Sequence, residues 1–379
     1  MPEKIIISFD DEEEQPPQKP DAEPIPIEKI LPIDSYPEGS KNRDKFFRSD
    51  FEFPPDKEKS FYIRNSVELK DRFLNSILET SRHIILSSVT GSIYIIDKNT
   101  LSVDEKFNFK NESFEKTGIV LNDVAYINSP EKIYKISDLS ADEVYSTPKG
   151  FYIWCDMNYD DKLIFIEYNP ESKKANFHGF AGSISFALNS MPTGGIAVSD
   201  SGYAFIAGDE IYIIGRNNNT VNKFRLNFFP GGNLFYSAGK IFFDKNSEEI
   251  YFWENDKIRY SGIKSQFMNS MGTNGKYIFT GNMNGWNAYS FTGNKIFSQD
   301  ANSPCMIRAI SDNIICVSED CGMLLHNMNR LTESEIIYIN GESAFDMIVS
   351  VLISNRAIYS LTESGTLAVI DNNKINLKL

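Results

Sequence analysis

The sequence predicts an all-β protein, a β-propeller of eight blades, with seven blades as the alternative. Two observations predict this fold. A short β-forming segment recurs at intervals of 36 to 43 residues from about residue 70 onwards. A second β-forming segment precedes most copies, and a turn often built from Gly, Asn or Asp joins the two. A four-stranded propeller blade takes about 40 to 45 residues, so each repeat has the length of one blade.

The clearest copy is HIILSSVTGSIYIIDKNTL, residues 83–101. It predicts a strand over 83–88 and a second strand over 92–97, because both segments are rich in isoleucine and other β-forming residues. Gly91 lies in the turn between them, where its backbone freedom suits a short hairpin. This hairpin is the unit that the rest of the chain repeats.

The second strand of this hairpin has recognisable counterparts along the whole chain. They are residues 92–97, 132–138, 174–180, 210–215, 249–254, 286–291, 323–328 and 366–371. Eight counterparts predict eight blades. Seven blades is the alternative because the repeat is poorly defined over 152–180.

Two segments at the ends of the repeat region leave alternatives open. Residues 71–80 fit either a short helix or the innermost strand of the first blade, and the strand is preferred because the repeat needs one there. A propeller closes when its first and last strands share a sheet. Residues 374–379 can supply the outer strand of the last blade, and residues 60–69 could instead take that place or cover its edge.

Three segments carry a resemblance to known repeats: TGSIYIIDKNTL, ESGTLAVIDNNK and NSEEIYFWENDK. They resemble repeats of the WD-repeat and quinoprotein-like β-propellers, in which a glycine turn leads into a strand that ends in an apolar residue and an acid. The resemblance extends over roughly 80 % of the chain. The sequence has no Trp-Asp and no Gly-His dipeptide. The resemblance therefore implies the fold of these degenerate repeats and no particular family.

Residues 1–59 have a different composition from the predicted propeller at 60–379. They contain 16 acidic and 9 basic residues, a net charge of −7, and ten of the 16 prolines of the chain. Such a composition predicts a disordered or extended acidic arm. Phe46, Phe47, Phe51 and Phe53 are too apolar for a simple spacer, so we expect the second half of the arm to lie along a folded surface.

A patch near the start of the arm is a candidate partner-binding motif. A β-prone apolar run is followed by a run of acids, which suits addition of a strand to the sheet of a partner with a basic rim. The patch resembles the SUMO-interacting motif, and Ser8 resembles an acidophilic kinase site. An apolar strand that docks on its own fold, or a solubilising tail, is the alternative. The candidate residues are Ile5, Ile6, Ile7, Phe9, Asp10 and Asp11.

Composition and charge narrow the classes of partner. The net charge of −14 disfavours direct binding of nucleic acid or of anionic membranes, and it favours protein partners with basic surfaces. The first residues have no apolar signal core, no apolar run of about 18 residues occurs, and the four cysteines form no C-x-x-C pair. We therefore expect no membrane insertion and a cytoplasmic location, with the nucleus as the alternative.

Motifs for catalysis or cofactor binding are missing from the sequence. The three histidines fall in different repeats, and no HExxH, P-loop, GxGxxG or G-x-S-x-G pattern occurs. We therefore predict no catalytic residue, no metal site and no cofactor.

Aromatic residues in predicted loops are the better candidates for a binding site. Phe228 and Phe229 are the candidate partner-binding residues of the propeller. Tyr159, Phe267, Met268, Met271 and Trp286 are further apolar residues in or near predicted loops. The predicted function is a non-enzymatic scaffold or adaptor in a multiprotein complex. The alternative is a propeller with a small-molecule or catalytic site in its central channel.

Overall fold

The computed structural model describes residues 46, 49, 51–54, 60–199, 201–254, 257–264, 270–319, 322–339 and 346–372. In this part of the chain all regular elements are β-strands. In chain order they are β1 (Phe61–Glu68), β2 (Leu78–Glu79), β3 (His83–Ser87), β4 (Ser92–Asp97), β5 (Val103–Asn108), β6 (Ile119–Leu121), β7 (Val124–Asn128), β8 (Lys132–Ser137), β9 (Ser140–Ser146), β10 (Tyr152–Ile153), β11 (Asn158–Asp160), β12 (Lys162–Asn169), β13 (Lys174–Gly179), β14 (Gly182–Ala187), β15 (Pro192–Ser199), β16 (Gly202–Ala207), β17 (Glu210–Gly215), β18 (Val221–Arg225), β19 (Pro230–Ser237), β20 (Lys240–Lys245), β21 (Glu249–Glu254), β22 (Lys257–Lys264), β23 (Met271–Thr273), β24 (Tyr277–Asn282), β25 (Gly285–Ser290), β26 (Lys295–Asp300), β27 (Cys305–Ile310), β28 (Ile314–Glu319), β29 (Gly322–Asn327), β30 (Arg330–Tyr338), β31 (Ile348–Ile353), β32 (Ile358–Thr362) and β33 (Thr366–Asn372).

These strands form eight antiparallel sheets, which are the eight blades of a β-propeller. The blades are β2–β5, β6–β9, β10–β14, β15–β18, β19–β22, β23–β26, β27–β30, and β31–β33 with β1. The first strands of successive blades contact one another and so lie nearest the axis of the ring. Each recurring segment that the sequence analysis aligned is the third strand of its blade. The predicted all-β fold and its eight blades are confirmed.

The ring closes through β1. This strand pairs antiparallel with β33, from Phe61 opposite Asn372 to Glu68 opposite Thr366, and is the outer strand of the eighth blade. The second of the two predicted closures is therefore confirmed. Residues 374–379 lie outside the described residues, and β1 occupies the place beside β33 that they could also have taken.

The third blade is irregular, which explains why its repeat was hard to define. Its inner strand is split in two: β10 pairs with the end of β12, and β11 pairs with its beginning. Between the two pieces, Asp156 ties the neighbouring blades together. Its N–H donates to the carbonyl of Gly194 (3.2 Å), and its Oδ1 accepts from the N–H of Thr117 (3.0 Å).

The first blade begins with the very short inner strand β2. Only Leu78 and Glu79 of the segment 71–80 have strand structure, and none of the segment is helical. The preferred alternative for this segment, an inner strand, is confirmed in shortened form.

Aromatic side chains that precede β1 pack into the propeller. Phe46 is 2 % exposed and forms a parallel bridge with Ile310 at the end of β27. Phe51 belongs to the hydrophobic cluster shared by the seventh, eighth and first blades, and the ring of Phe53 meets that of Phe61 edge-on at 5.2 Å. The expectation that this part of the arm lies on a folded surface is confirmed for these three residues. Residues 1–45 and Phe47 lie outside the described residues, and the acidic arm with its boundary at residue 59 stays a prediction.

Candidate binding face

The ring has two faces that differ in the loops they carry. In each antiparallel blade, the turn between the second and third strands lies on the same face as the loop that leads into the next blade. We call this the crossover face. The turns between the first and second strands, and between the third and fourth, lie on the opposite face.

Exposed apolar side chains in loops and turns are concentrated on the crossover face. Among the described residues, five large apolar side chains on this face are between 43 % and 70 % exposed: Leu74, Met191, Phe229, Met283 and Met347. The opposite face has two, Leu139 and Phe180, and the Phe180 ring lies beneath the charged ends of Lys162 and Arg216. The crossover face is therefore the better candidate for binding a partner.

Phe228 and Phe229 are adjacent in the sequence but differ in how much of each side chain is exposed. Phe228 is half-buried, with its ring 4.8 Å from that of Tyr251 and 6.2 Å from that of Phe243. Phe229 is 70 % exposed, and its carbonyl accepts a hydrogen bond from the N–H of Asn246 (3.0 Å). Phe228 therefore anchors the loop, while Phe229 presents its ring to solvent.

The other candidate residues are not part of this face. Ile5, Ile6, Ile7, Phe9, Asp10 and Asp11 lie outside the described residues. Three of the further apolar residues belong to strands: Tyr159 is half-buried in β11, while Met271 and Trp286 are buried. Placing Tyr159 and Met271 in loops was wrong, because β11 and β23 include them, whereas the strand predicted over 286–291 includes Trp286 and is confirmed by β25. Phe267 and Met268 lie outside the described residues.

Met191 and Met347 are exposed residues that the sequence analysis missed. Each directly precedes an inner strand, β15 or β31, as Phe229 directly precedes β19. For Met191 the signal was present in the sequence: residues 188–192 read LNSMP and residues 226–230 read LNFFP. Aligning the repeats on the crossing loops as well as on the strands would have found it.

The comparisons with solved structures support the propeller fold. This chain is similar to the computationally designed Ika8 protein (TM-score 0.61, 10 % identity, 80 % of this chain and 97 % of that one). It is similar to BamB from Moraxella catarrhalis (TM-score 0.60, 11 % identity, 82 % and 100 %). It is also similar to virginiamycin B lyase from Staphylococcus aureus (TM-score 0.50, 11 % identity, 82 % and 99 %). At these identities the likeness shows the fold alone.

Comparisons by sequence add no family. No protein-family model matches the chain, and no curated protein matches it. The β-propeller fold is thus supported by structure, while membership in the WD-repeat or quinoprotein-like families is not shown.

Buried polar groups near the third blade bind one another rather than forming an open site. The carboxylate of Glu167 accepts hydrogen bonds from Asn176 (2.7 Å) and Tyr145 (2.8 Å), and the Nε2 of His178 lies 3.5 Å away. Burial raises the pKa of Glu167, but these three contacts together lower it below its ordinary value. Tyr145 comes from the second blade, so this cluster joins two blades.

A second cluster joins the third and fourth blades. Asp160 accepts from the hydroxyl of Tyr203 (2.9 Å) and from the guanidinium of Arg216 (2.6 Å). Burial, followed by the bond to Asp160, raises the pKa of Tyr203 to about 12. Both clusters therefore hold neighbouring blades together through hydrogen bonds.

The described residues contain neither a metal-binding cluster nor a membrane-spanning helix. In this part of the chain, no three His, Cys, Asp or Glu side chains lie close enough to share a metal ion. It also contains no helix with the length and apolar character needed to cross a bilayer.

Proposed function

We propose that this chain is a non-enzymatic propeller scaffold that binds protein partners on its crossover face. The observation that carries the proposal is the concentration of exposed apolar loop side chains on that face. Burying the exposed part of Phe229 alone would contribute about 2 kcal/mol to binding. Side chains of this kind act as anchors in protein interfaces when a partner covers them.

The construction of the ring supports this role. The crossing loops that lie wholly within the described residues begin at the outer strand of one blade and end at the inner strand of the next, so hydrogen-bonded sheets fix both of their ends. Loops held in this way lose little conformational entropy when a partner binds.

The charge of the chain favours a partner with a basic surface. With a net charge of −14, the chain attracts basic faces and repels nucleic acid and anionic membranes. We extend the proposal to a cytoplasmic or nuclear multiprotein complex, in which the acidic N-terminal residues supply a second binding motif.

The test is photo-cross-linking of the full chain in cells. Benzoylphenylalanine is introduced at Met283 or Met347 on the crossover face, and at Leu139 or Phe180 on the opposite face as matched controls. We expect discrete protein adducts from the first pair and not from the second. Adducts from the opposite face alone, or from neither face, would contradict the proposal.

A ligand site in the central channel is the alternative function, and one observation favours it. The pairing register shifts in four inner strands, β15, β19, β27 and β31. Such bulges are frequent next to binding sites. Native mass spectrometry of the purified full chain would support the alternative if it reveals a bound small molecule.

A further inference from the structure

Two neighbouring crossing loops share a sequence and a mode of attachment. Residues 188–192 (LNSMP) and 226–230 (LNFFP) have the same pattern, and a pair of glycines follows each within two residues. The N–H of Leu188 donates to the carbonyl of Lys173 (2.9 Å), and the N–H of Leu226 donates to the carbonyl of Asp209 (2.8 Å). Each accepting carbonyl lies in the turn between the second and third strands of the blade that the loop leaves.

This common attachment orients the two loops alike. Leu188 and Leu226 are both buried, and Met191 and Phe229 are both exposed at the last position before the inner strand. Because β15 and β19 belong to successive blades, the two exposed side chains are related by one step around the ring. The crossover face therefore presents a pair of equivalent apolar groups.

The backbone between these two groups is exposed to solvent, and the two inner strands that supply it lie in close contact. A methyl group on Gly194 would overlap the carbonyl oxygen of Gly232, so the two inner strands touch where they begin. The space above Gly232 is open, and Gly194 and Gly231 are exposed. Register shifts remove residues 194–196 and 231–233 from regular pairing with the second strands. We call residues 188–195 and 226–233 the twin-loop site.

The charge distribution defines what the twin-loop site can bind. Neither of its two segments contains a charged residue, whereas the crossing loop over 109–118 contains two lysines and two glutamates. The turns beside the twin-loop site contribute Glu171 and Lys173, which are opposite in charge, together with Asp209 and Glu248. Among the described residues, Asp209 pairs with Arg225, while Glu248 is exposed and has no cation within 4 Å. The site is thus apolar and uncharged, with the exposed carboxylate of Glu248 at its border.

We propose that the twin-loop site binds an extended, uncharged segment of a protein partner, in which two nearby apolar side chains are flanked by Lys or Arg. The inference rests on the proposed function and specifies its partner. The apolar pair covers Met191 and Phe229, the backbone of the segment runs over the exposed glycines, and a flanking cation meets the carboxylate of Glu248. An extended segment fits because bulky side chains are missing from the glycine surface over which it passes.

The test uses the full chain and a phage-displayed library of random 12-residue peptides, followed by synthesis of the enriched peptides. We expect the enriched sequences to contain two apolar residues in an uncharged stretch with Lys or Arg on at least one side. Fluorescence anisotropy is expected to show affinity falling at least about tenfold with Met191→Ser or Phe229→Ser, as for other interface anchors. Raising the salt concentration is expected to weaken binding several-fold.

The matched control is Leu139→Ser, which removes an exposed apolar turn residue from the opposite face and is expected to leave affinity unchanged. The proposal is overturned if no peptide is enriched, or if enriched peptides bind the Met191→Ser and Phe229→Ser variants as well as the unaltered chain. It is also overturned if light scattering shows that the unaltered chain self-associates through these two residues, because the occupant would then be a second copy.

Failure of the twin-loop site can be told from failure of the proposed function. If cross-links from Met283 and Met347 persist in the doubly substituted Met191→Ser/Phe229→Ser chain, the crossover face binds a partner without the twin-loop site. If cross-links from those positions never form in the unaltered chain, the proposed function itself fails.

Discussion

His326 lies fully buried between the sixth and seventh blades, and its hydrogen bonds define a neutral imidazole. Its Nδ1 donates to the carbonyl of Leu331 (3.1 Å), and its Nε2 accepts from the indole N–H of Trp286 (3.3 Å). A second proton on Nε2 would face the indole N–H, which can only donate. Burial lowers the pKa of His326 to about 4, although the bond to Leu331 acts in the other direction.

This histidine makes the stability of the ring depend on pH. In the unfolded chain it titrates near its ordinary pKa of 6.5. Between pH 6.5 and pH 4, His326 binds a proton in the unfolded chain but stays neutral in the folded chain. The free energy of unfolding therefore falls as the pH is lowered through this range. The loss amounts to about 2.5 kcal/mol at pH 4.5. His326→Gln retains one donor and one acceptor without titrating, and should remove this loss.

Two measurements check the prediction. The chain has three histidines, so NMR of ¹³C-labelled histidine should give three signals, and the His326 signal is the one missing from the Gln variant. We expect that signal to titrate near pH 4. Chemical denaturation at pH 7.5 and 4.5 should show the unfolding free energy of the unaltered chain falling by about 2.5 kcal/mol relative to the variant. A His326 midpoint near 6.5, or a free-energy difference that does not change with pH, would refute the reasoning.

Three further changes test the fold. Removing residues 1–45 should leave the melting temperature within about 2 °C of its original value, whereas removing residues 1–68 takes away β1 and should abolish the cooperative calorimetric transition. Phe46→Ala should lower the unfolding free energy by about 3 to 5 kcal/mol in chemical denaturation, because the buried ring leaves a cavity. Gly231→Ala should lower it by at least about 2 kcal/mol, because the new methyl group overlaps the buried carboxylate of Asp244.

Matched substitutions serve as controls for the last two changes. Phe229→Ala removes the same side chain from a position that is 70 % exposed and should alter stability by less than about 0.5 kcal/mol. Gly232→Ala adds a methyl group in open space at a φ of +98°, so it should cost only backbone strain, about 1 kcal/mol. Equal effects within either pair, or a cooperative transition that survives removal of β1, would contradict the account.

The sequence predicted the ring because its repeat is carried by local features. A β-hairpin can be recognised from a segment of about 15 residues, as in 83–97, and eight recurring segments of this kind predict eight blades. The split inner strand of the third blade escaped prediction because its two pieces are short. Asp156, which lies between them, is held by Thr117 and Gly194 from neighbouring blades.

Long-range contacts decided what the sequence left open. Nothing local distinguishes residues 60–69 from 374–379 as the closing strand, since both are short and β-prone, and pairing with β33 settles the choice. Phe228 and Phe229 are likewise equivalent in sequence. Only the packing of Phe228 against Tyr251 shows which ring belongs to the fold and which faces solvent.

A cryo-electron microscopy structure of the full chain, purified from cells with its cross-linked partner, tests the central claim most directly. The account predicts partner density on the crossover face, against Met191 and Phe229 and over the glycines between them. Density confined to the opposite face or to the outer strands would contradict it.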